Sequence, residues 1–432
     1  MQFLTTAELN MTTAATAHLM RNTNFRWLLG GGLISMLGDQ FSLLALPWLV
    51  LSLTGDSLSL GFAVALMGAP RALLILLGGT VADRYSARTV IMTSKLLNAA
   101  ILLLLAALLM LGHASVALAY GAALALGIAA AIAIPAGTAI LPQALPAPAL
   151  QTANSMLMGA RQLALLAGPL LAALLFQAPH GARQTGMAAL AAAFAIDALT
   201  FLLSAWTLQK VSLRPLPAAA TVQGLWRDMA EGLAMVWRDR ALRSCYLYWA
   251  VAAFFVIGPL QVALPVLASE RLQGASALGL LLGAHGAGTL AGMLASGLGG
   301  AWLRRRFGAT LLSIDAVVSV LLMALGQIGS SWQGVVLLAL TGMLSGYLQV
   351  AIFTWIQRRV APAMLGRAMA LFMSIFLGLA PLSAAATGAL LRHLGVGELF
   401  CAGGAMLLAA AVAAALWTNI PRIAASGHVM EP

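Results

Sequence analysis

The stretch GGTVADRYSAR, residues 78–88, lies between two long apolar runs and predicts a short connection between two membrane-spanning helices. Gly79 and the glycine before it have no side chain, so two helix backbones can approach closely at the end of the first span. Asp83 is an anion at the membrane edge, where the N-terminus of another helix could stabilise it. Arg84 and Arg88 are expected to hold the connection at the polar face. The alternative is that Asp83 and Arg84 form only a solvated pair of charges.

The composition indicates that the bilayer is the solvent of this chain. Of its 432 residues, 62% are hydrophobic and 8% are charged, whereas soluble domains carry about 25% charged residues. A membrane span needs about 20 apolar residues, so this length with short loops accommodates twelve spans. We therefore predict an all-α membrane protein with twelve transmembrane helices.

Twelve apolar runs separated by turn residues define the predicted spans. They cover residues 25–52, 58–82, 89–111, 115–141, 153–177, 186–208, 243–268, 276–302, 309–329, 333–357, 365–391 and 397–419. The first six spans form one predicted bundle, 25–208, and the last six form a second, 243–420, with a linker at 209–242. Residues 1–24 and 421–432 are expected to be cytoplasmic tails. The first tail lacks the long apolar core of a cleaved signal peptide.

The distribution of the net charge of +11 predicts the orientation of the chain. Outside the spans, nearly all Lys and Arg fall on one side of the membrane, and only Arg183, Arg271 and Arg392 fall on the other. This bias is the positive-inside pattern, so the basic side should face the cytoplasm of a plasma (inner) membrane. It should contact anionic lipid headgroups there. A nucleic-acid-binding surface is the poorer explanation of the charge.

The linker contains a predicted amphipathic helix between Gly224 and Arg240. Its apolar residues recur at helical spacing. They are Leu225, Trp226, Met229, Leu233, Val236 and Trp237. Charged residues fill the intervening positions, so we expect this helix to lie at the membrane interface with its tryptophans at headgroup level. A calmodulin-like target helix is the alternative.

Several classes of protein are excluded by missing motifs. Cys245 and Cys401 are the only cysteines, and they provide neither a disulfide framework nor metal-ligand spacing. The sequence contains no Gly-x-x-x-x-Gly-Lys-Ser/Thr loop, so an ATP-driven pump is excluded within this chain. It also contains no His-Glu-x-x-His or Gly-x-Ser-x-Gly motif. We therefore expect no cofactor, no metal and no enzymatic function.

The two halves of the sequence resemble each other. A proline-rich bend follows span 4, at Pro142, Pro146 and Pro148, and Pro362 marks the equivalent bend after span 10. Proline disfavours helix at the preceding residue, so these bends predict helix boundaries. Each following span then contains a small residue before an internal proline. Parallel repeats of this kind are typical of transporters built from two similar bundles.

The connection between spans 2 and 3 resembles the Gly-x-x-x-Asp-Arg-x-Gly-Arg pattern of the major facilitator superfamily. Gly79, Asp83, Arg84 and Arg88 match it, while its second glycine is missing, because Ser86 and Ala87 stand near it. The resemblance covers about residues 25–420 and implies the twelve-helix, two-bundle major facilitator fold. It further implies that Asp83 docks on the cytoplasmic start of span 11, near Gly366 and Arg367, and so forms a conformational latch.

Further details resemble the enterobactin-exporter and macrolide-efflux branch of that superfamily. They are Gly38-Asp39, Ala153-Asn154, Asp197, Glu231-Gly232 and Trp237-Arg238. This resemblance implies a monomeric secondary transporter that exports an amphipathic small molecule, such as a drug or a siderophore-like metabolite, in exchange for protons. Few charges and many Met, Phe and Trp residues favour such a substrate over a sugar or an inorganic ion. An importer, or a membrane receptor or scaffold with the same fold, is the alternative.

Ionisable residues inside spans are costly, so they are candidates for function. Asp39, next to Gln40 in span 1, is the best candidate for substrate contact or proton coupling, because span 1 lines the central cavity in this superfamily. Arg71 and Arg161 are the intramembrane cations that could neutralise Asp39 or bind an anionic group of a substrate. A purely structural ion pair is the alternative for all three charges.

Other polar groups within spans have weaker indications. His285 in span 8 could titrate near neutral pH, although a hydrogen-bonded packing role is the more common one. Gln261 in span 7 and Gln349 in span 10 face the cavity only if their helices are oriented as in the superfamily. Asp197 and Asp315 are expected to be structural, the latter with Lys95 or the arginines at 304–306 as its partner.

Overall fold

The protein is helical throughout the residues that the structure describes. The computed structural model describes residues 19–177, 186–214, 223–272, 274–298 and 306–423, with the backbone alone at 75–84, 147, 223–229, 297–298 and 362–363. Most of both predicted tails, and the arginines at 183, 304 and 305, lie outside these ranges. No strand occurs within them, and twelve of their helices are long and apolar enough to cross a membrane.

We number these twelve helices α1 to α12. They are α1 Thr23–Thr54, α2 Ser57–Arg84, α3 Ala87–Met110, α4 Val116–Ala144, α5 Leu150–Phe176, α6 Met187–Gln209, α7 Arg240–Arg271, α8 Ala275–Leu298, α9 Phe307–Leu325, α10 Ser331–Arg359, α11 Pro362–Leu390 and α12 Val396–Trp417. Each corresponds to one predicted span, so the prediction of an all-α protein with twelve transmembrane helices is confirmed. A further helix, the linker helix Gln223–Arg238, precedes α7.

The connection between α2 and α3 is shorter than the sequence indicated. α2 continues through Asp83 and Arg84, so both residues belong to its last turn. Only Tyr85 and Ser86 separate the two helices. Ser86 then begins α3 as its N-cap, because its hydroxyl accepts the backbone N–H of Thr89 at 3.2 Å. A serine cap satisfies one of the donors that a helix start leaves free.

One proline does not end its helix as predicted. Pro142 lies inside α4, which continues to Ala144. Membrane helices tolerate an internal proline, because neighbouring groups satisfy the freed carbonyl. Pro362, in contrast, is at the first position of α11, as predicted for the bend after α10.

Glycines set the closest helix contacts. α8 and α10 interlock through Gly288 and Gly292 of one helix and Gly342 and Gly346 of the other. A Cβ atom added to any of the four would lie 1.9–2.1 Å from a carbonyl oxygen of the facing helix. The glycines of α8 therefore serve tight packing against α10.

The described residues fall into two compact units. Met1–Leu49 and Pro70–Ala219 contribute to the first unit, and Val50–Ala69 and Ala220–Pro432 contribute to the second. The second stretch of the second unit begins inside the predicted linker. The segment Val50–Ala69, which contains the end of α1 and the start of α2, belongs to the second unit, which the sequence did not predict. The predicted bundle bounds stay a prediction.

Candidate functional site

The first unit gathers five ionisable side chains from five helices. Asp39 lies in the middle of α1 and is half-buried. Lys95 of α3 exerts the strongest electrostatic attraction on it, followed by Arg71 of α2 and Arg161 of α5. Asp197 of α6 is the second acid of the group and also interacts with Asp39 and Lys95. The structure thus places all three intramembrane charges predicted from the sequence in one cluster.

Asp39 has no direct partner within the described part of the chain. Neither a hydrogen bond nor an ion pair joins its carboxylate to another described side chain, although three cations lie near enough to attract it. Such an acid is free to bind a proton or a ligand group without first breaking a bond. A simple structural ion pair between Asp39 and one arginine is therefore not the arrangement seen here.

Lys95 is the member of the cluster that sequence reasoning missed. Its Nζ donates to the Ser35 hydroxyl at 3.1 Å, one helical turn before Asp39, and lies 5.6 Å from the centre of the Phe201 ring. The sequence suggested Asp315 as its partner, but Asp315 accepts the hydroxyl of Tyr248 at 2.7 Å inside the second unit. The sequence did contain a signal for its role, because Lys95 is a cation in the first half of an apolar span.

Asp197 fixes α6 against α1. It is 1% exposed and accepts hydrogen bonds from the hydroxyls of Ser42 in α1 and Thr200 in α6. The approach requires Gly38, since a Cβ there would lie 2.6 Å from the Asp197 carboxylate. These contacts agree with the structural role predicted for Asp197, and they also attach its carboxylate to the turn that carries Asp39.

The remaining predicted residues of the first unit differ in exposure. The Nε of Arg71 is buried and has no acceptor among the described residues, whereas Arg161 is exposed. Gln40 packs on Gly168 of α5, where a Cβ would lie 2.3 Å from the glutamine side chain. Gln40 therefore packs against α5. Of these residues, Arg71 is the one with a buried N–H group that has no described acceptor.

The second unit holds the other three predicted polar residues, and it does not bring them into one cluster. Gln261 of α7 and Gln349 of α10 are both exposed. His285 of α8 is half-buried and interacts with the backbone of Leu338 in α10, while its Nδ1 has no partner in the described ranges. Its place between two tightly packed helices favours the packing role over a titrating one.

The predicted latch is only partly described. Only the backbone is described at Gly79, Asp83 and Arg84, so the side-chain contacts of Asp83 and Arg84 lie outside the described part of the structure. Arg88 donates to the backbone carbonyl of Gln209 at 2.7 Å, and so it neutralises the negative C-terminal end of α6. Near the start of α11, a Cβ atom added to Gly366 would have no atom of the described residues within 4 Å.

Arg367, one residue further along α11, pairs with the linker helix. It forms an ion pair of 2.8 Å with Glu231, and Gly232 lets the backbones approach, since a Cβ there would lie 3.1 Å from the Arg367 Cβ. The start of α11 is thus occupied by the linker helix. On the other face of that helix, Leu233 and Trp237 are 53% and 56% exposed.

Asp239 joins the linker helix to α7 and α10. Its Oδ1 caps α7 by accepting the N–H of Ala241 at 2.8 Å, and its two oxygens accept from Arg359 at 2.7 and 3.0 Å. Burial alone would raise the pKa of Asp239, but the hydrogen bonds and charge of Arg359, together with the N–H groups of Ala241 and Leu242, outweigh it and hold the pKa below its usual range. Asp239 is therefore an ionised anchor of the linker.

A second ion pair lies on the opposite side of the second unit. Arg392, after α11, donates to both oxygens of Asp56, before α2, at 3.0 and 3.1 Å. These hydrogen bonds hold the pKa of Asp56 below its usual range, against the opposing effect of burial. Next to the pair, the Ser57 hydroxyl donates to the carbonyl of Gly388. The pair therefore fixes the α1–α2 connection to the end of α11.

Comparisons with known proteins agree with this architecture. The family model described as Major Facilitator Superfamily matches residues 28–376. Among solved structures, a D-xylose-proton symporter has a TM-score of 0.73 at 14% identity and covers 95% of this chain and 100% of its own.

Two further structures give similar values. The nucleoside transporter NupG has a TM-score of 0.70 at 15% identity, over 90% of this chain and 98% of its own. A bacterial homologue of the iron transporter ferroportin, in an inward-facing state, has a TM-score of 0.68 at 20% identity, over 92% and 97%. A search among curated proteins finds no match. At these identities the solved structures show the fold alone.

Proposed function

The chain belongs to the Major Facilitator Superfamily, and from that premise we propose that it is a proton-coupled exporter of an amphipathic small molecule that carries an anionic group. Membership makes it a multi-pass membrane transporter. Proton coupling, direction and substrate are the proposed part. The observation that carries the proposal is the free carboxylate of Asp39 among the three cations Lys95, Arg71 and Arg161.

The charges of the cluster support an anionic group on the substrate. Lys95, Arg71 and Arg161 carry three positive charges, while Asp39 and Asp197 supply two carboxylates, so one positive charge is formally in excess. In addition, the buried Nε of Arg71 has no acceptor among the described residues. A buried donor without a partner costs free energy that a ligand can recover. An anion entering the cluster would supply the missing acceptor.

Competition for Asp39 provides a coupling mechanism. An acid inside a membrane is costly when it is charged and unpaired, and a nearby cation reduces that cost. An ionised Asp39 can accept a hydroxyl or amide donor of the substrate while the cations bind the anionic group. A proton that binds Asp39 from the outer side displaces that donor, and a substrate that binds from the cytoplasmic side displaces the proton. Because proton and substrate exclude each other, alternating access would exchange one for the other.

The direction and the apolar part of the substrate rest on the branch resemblance and on composition. The Gly38-Asp39, Glu231-Gly232 and Trp237-Arg238 pairs resemble exporters of siderophores and macrolides, and 62% of the chain is hydrophobic. We further propose that the basic side, with both termini, faces the cytoplasm of the plasma membrane. There, Leu233 and Trp237 of the linker helix would insert among anionic lipid headgroups.

The experiment is a set of double variants in proteoliposomes with an imposed pH gradient. Asp39→Asn should abolish proton-driven accumulation of an amphipathic acid while leaving its binding measurable. The variant is combined in turn with Lys95→Gln, Arg71→Gln and Arg161→Gln. If Asp39 were only a counter-ion, neutralising its partner would restore folding and proton-driven transport. Full restoration in any double variant would therefore refute the coupling role.

The same assay includes a control variant and distinguishes export from the alternative functions, which are import and a receptor or scaffold role. Glu270→Gln removes an exposed acid at the end of α7 and should leave proton-driven transport unchanged. Accumulation in the direction of the proton gradient, instead of against it, would indicate an importer. Binding of substrate with no flux in either direction, in protein that is fully folded, would favour a receptor or scaffold.

A further inference from the structure

α7 is interrupted by a side chain from another helix. In a regular α-helix the N–H of Gly258 would donate to the carbonyl of Phe254, four residues earlier. Here the hydroxyl of Ser383 in α11 lies between them. It accepts the Gly258 N–H at 2.8 Å and donates to the Phe254 carbonyl at 2.5 Å. Insertion of a side chain into the hydrogen-bond ladder is an established cause of helix kinks.

The next residues of α7 are wound more loosely than an α-helix. Pro259–Ala263 form a π-helical turn, in which the N–H of Leu264 donates to the carbonyl of Pro259. The prolines at 259 and 265 have no N–H, so the carbonyls of Phe255 and Gln261 lack their regular donors. Single π-helical turns inside α-helices occur frequently at functional sites. This segment therefore offers backbone acceptors in the middle of a membrane span.

The side chain of Gln261 is exposed at this turn. It is the one exposed residue from Gly258 to Ala268, a stretch that the structure describes completely. Polar side chains inside membrane spans generally face a cavity or another helix instead of lipid. The exposed amide of Gln261, together with its own carbonyl, which lacks its regular donor, therefore forms a polar opening on one side of α7.

Gly258 allows α11 to reach this opening. A Cβ atom at Gly258 would lie 2.3 Å from the hydroxyls of both Ser383 and Thr387, and 2.4 Å from the carbonyl of Ser383. Ser383 is itself buried, at 1% exposure, so its hydroxyl is committed to α7. The contact between the two helices and the break in α7 thus depend on the same pair of residues.

We propose that Ser383 is a positioning residue for substrate binding: it keeps α7 interrupted at Gly258, so that Gln261 presents acceptors to hydroxyl or amide donors of the transported molecule. Only the binding of the transported molecule rests on the proposed transport function; the role of Ser383 in α7 does not. The opening in α7 would bind the neutral polar part of the substrate.

The first test measures the opening without any substrate. Gln261→Cys is introduced into a Cys401→Ser background and labelled with a membrane-impermeant maleimide. Adding Ser383→Ala removes two hydrogen bonds and lets Gly258 bond Phe254 directly, a net loss of one bond. The turn should then close and labelling should slow by up to about tenfold, the upper end of what one ordinary hydrogen bond contributes. Ser383→Thr, which keeps the hydroxyl, should restore the wild-type rate.

Ser374→Ala is the matched control, because Ser374 also lies in α11 but its hydroxyl bonds only to its own helix, at Ala370. Its labelling rate should equal that of the Gln261→Cys parent. If the Ser383→Ala protein does not fold, Gly258→Ala provides the same test, because its methyl group displaces the Ser383 hydroxyl. A labelling rate unchanged in Ser383→Ala, or in Gly258→Ala where that variant replaces it, overturns the proposal.

The second test uses transport, with the amphipathic acid that gives the largest proton flux in proteoliposomes. Ser383→Ala should raise its KM about tenfold with little change in kcat, and an analogue with its hydroxyl and amide donors methylated should not show the increase. An equal KM in parent and variant overturns the binding role. If no compound is transported, the proposed function fails, while the labelling test still decides the role of Ser383.

Discussion

The anchor at Asp239 allows a quantitative prediction about the start of α7. Asp239→Asn keeps a side-chain oxygen that can cap the helix but removes the charge that Arg359 binds. Breaking a buried ion pair from one side costs about 3–5 kcal/mol. The Arg359 side chain is 20% exposed and that of Asp239 is 3% exposed, so water can partly solvate the remaining cation. We therefore expect a cost below that range, about 2 kcal/mol.

The assay is hydrogen exchange of the first amides of α7, corrected for intrinsic rates. A loss of about 2 kcal/mol in the free energy of local opening corresponds to about 30-fold faster exchange. Asp239→Ala also removes the cap, which is worth about 1 kcal/mol more, so its exchange should be faster again. Arg358→Gln, at the exposed neighbour of Arg359, is the control. Exchange in Asp239→Asn at the wild-type rate would refute this reasoning.

The same pair gives a pH dependence whose sign follows from the lowered pKa of Asp239. A carboxylate with a depressed folded pKa stabilises the fold above its unfolded pKa, about 3.9, and loses that contribution as the pH falls through the folded value. Corrected protection at the start of α7 should therefore be constant from neutral pH down to about pH 5. A decline between pH 7 and pH 5 would contradict the assignment.

The remaining predictions concern packing, the second ion pair and the latch. Gly292→Ala should lower the stability of the fold by about 1–3 kcal/mol through overpacking, because its Cβ would lie 1.9 Å from a carbonyl of α10. Gly137→Ala should leave the stability unchanged, because a Cβ there has no described atom within 4 Å. Equal melting temperatures for the two variants would contradict this. Asp56→Asn should free the α1–α2 connection from Arg392 and speed proteolysis there, and unchanged cleavage would count against the pair. Asp83→Asn should lower transport and raise the accessibility of cavity cysteines from the cytoplasmic side, whereas a variant unchanged in both would rule out the latch.

The sequence predicted the spans well because hydrophobicity is a property of local composition. It also identified Asp39, Arg71 and Arg161, since a charge inside an apolar span stands out in any sequence. It did not reveal that Lys95 joins them, because spacing along one helix does not show which neighbour a side chain faces. Lys95 was instead one of two alternative partners for Asp315, beside the arginines at 304–306, and the structure pairs Asp315 with Tyr248.

The break in α7 was beyond sequence reasoning for a different reason. The hydroxyl that replaces the missing bond comes from Ser383, 125 residues further along the chain. Contacts of that kind depend on how two helices are packed. The shortness of the α2–α3 connection was likewise set by the cap at Ser86, which the motif resemblance did not indicate.

The central claim is that Asp39 couples substrate movement to proton movement. The most direct measurement records the internal pH of proteoliposomes and the uptake of an amphipathic acid in the same sample, for the wild type and for Asp39→Asn. We expect substrate to drive proton flux in the wild type, and Asp39→Asn to retain substrate binding but lose that flux. Substrate-driven proton flux of equal size in both proteins would contradict it.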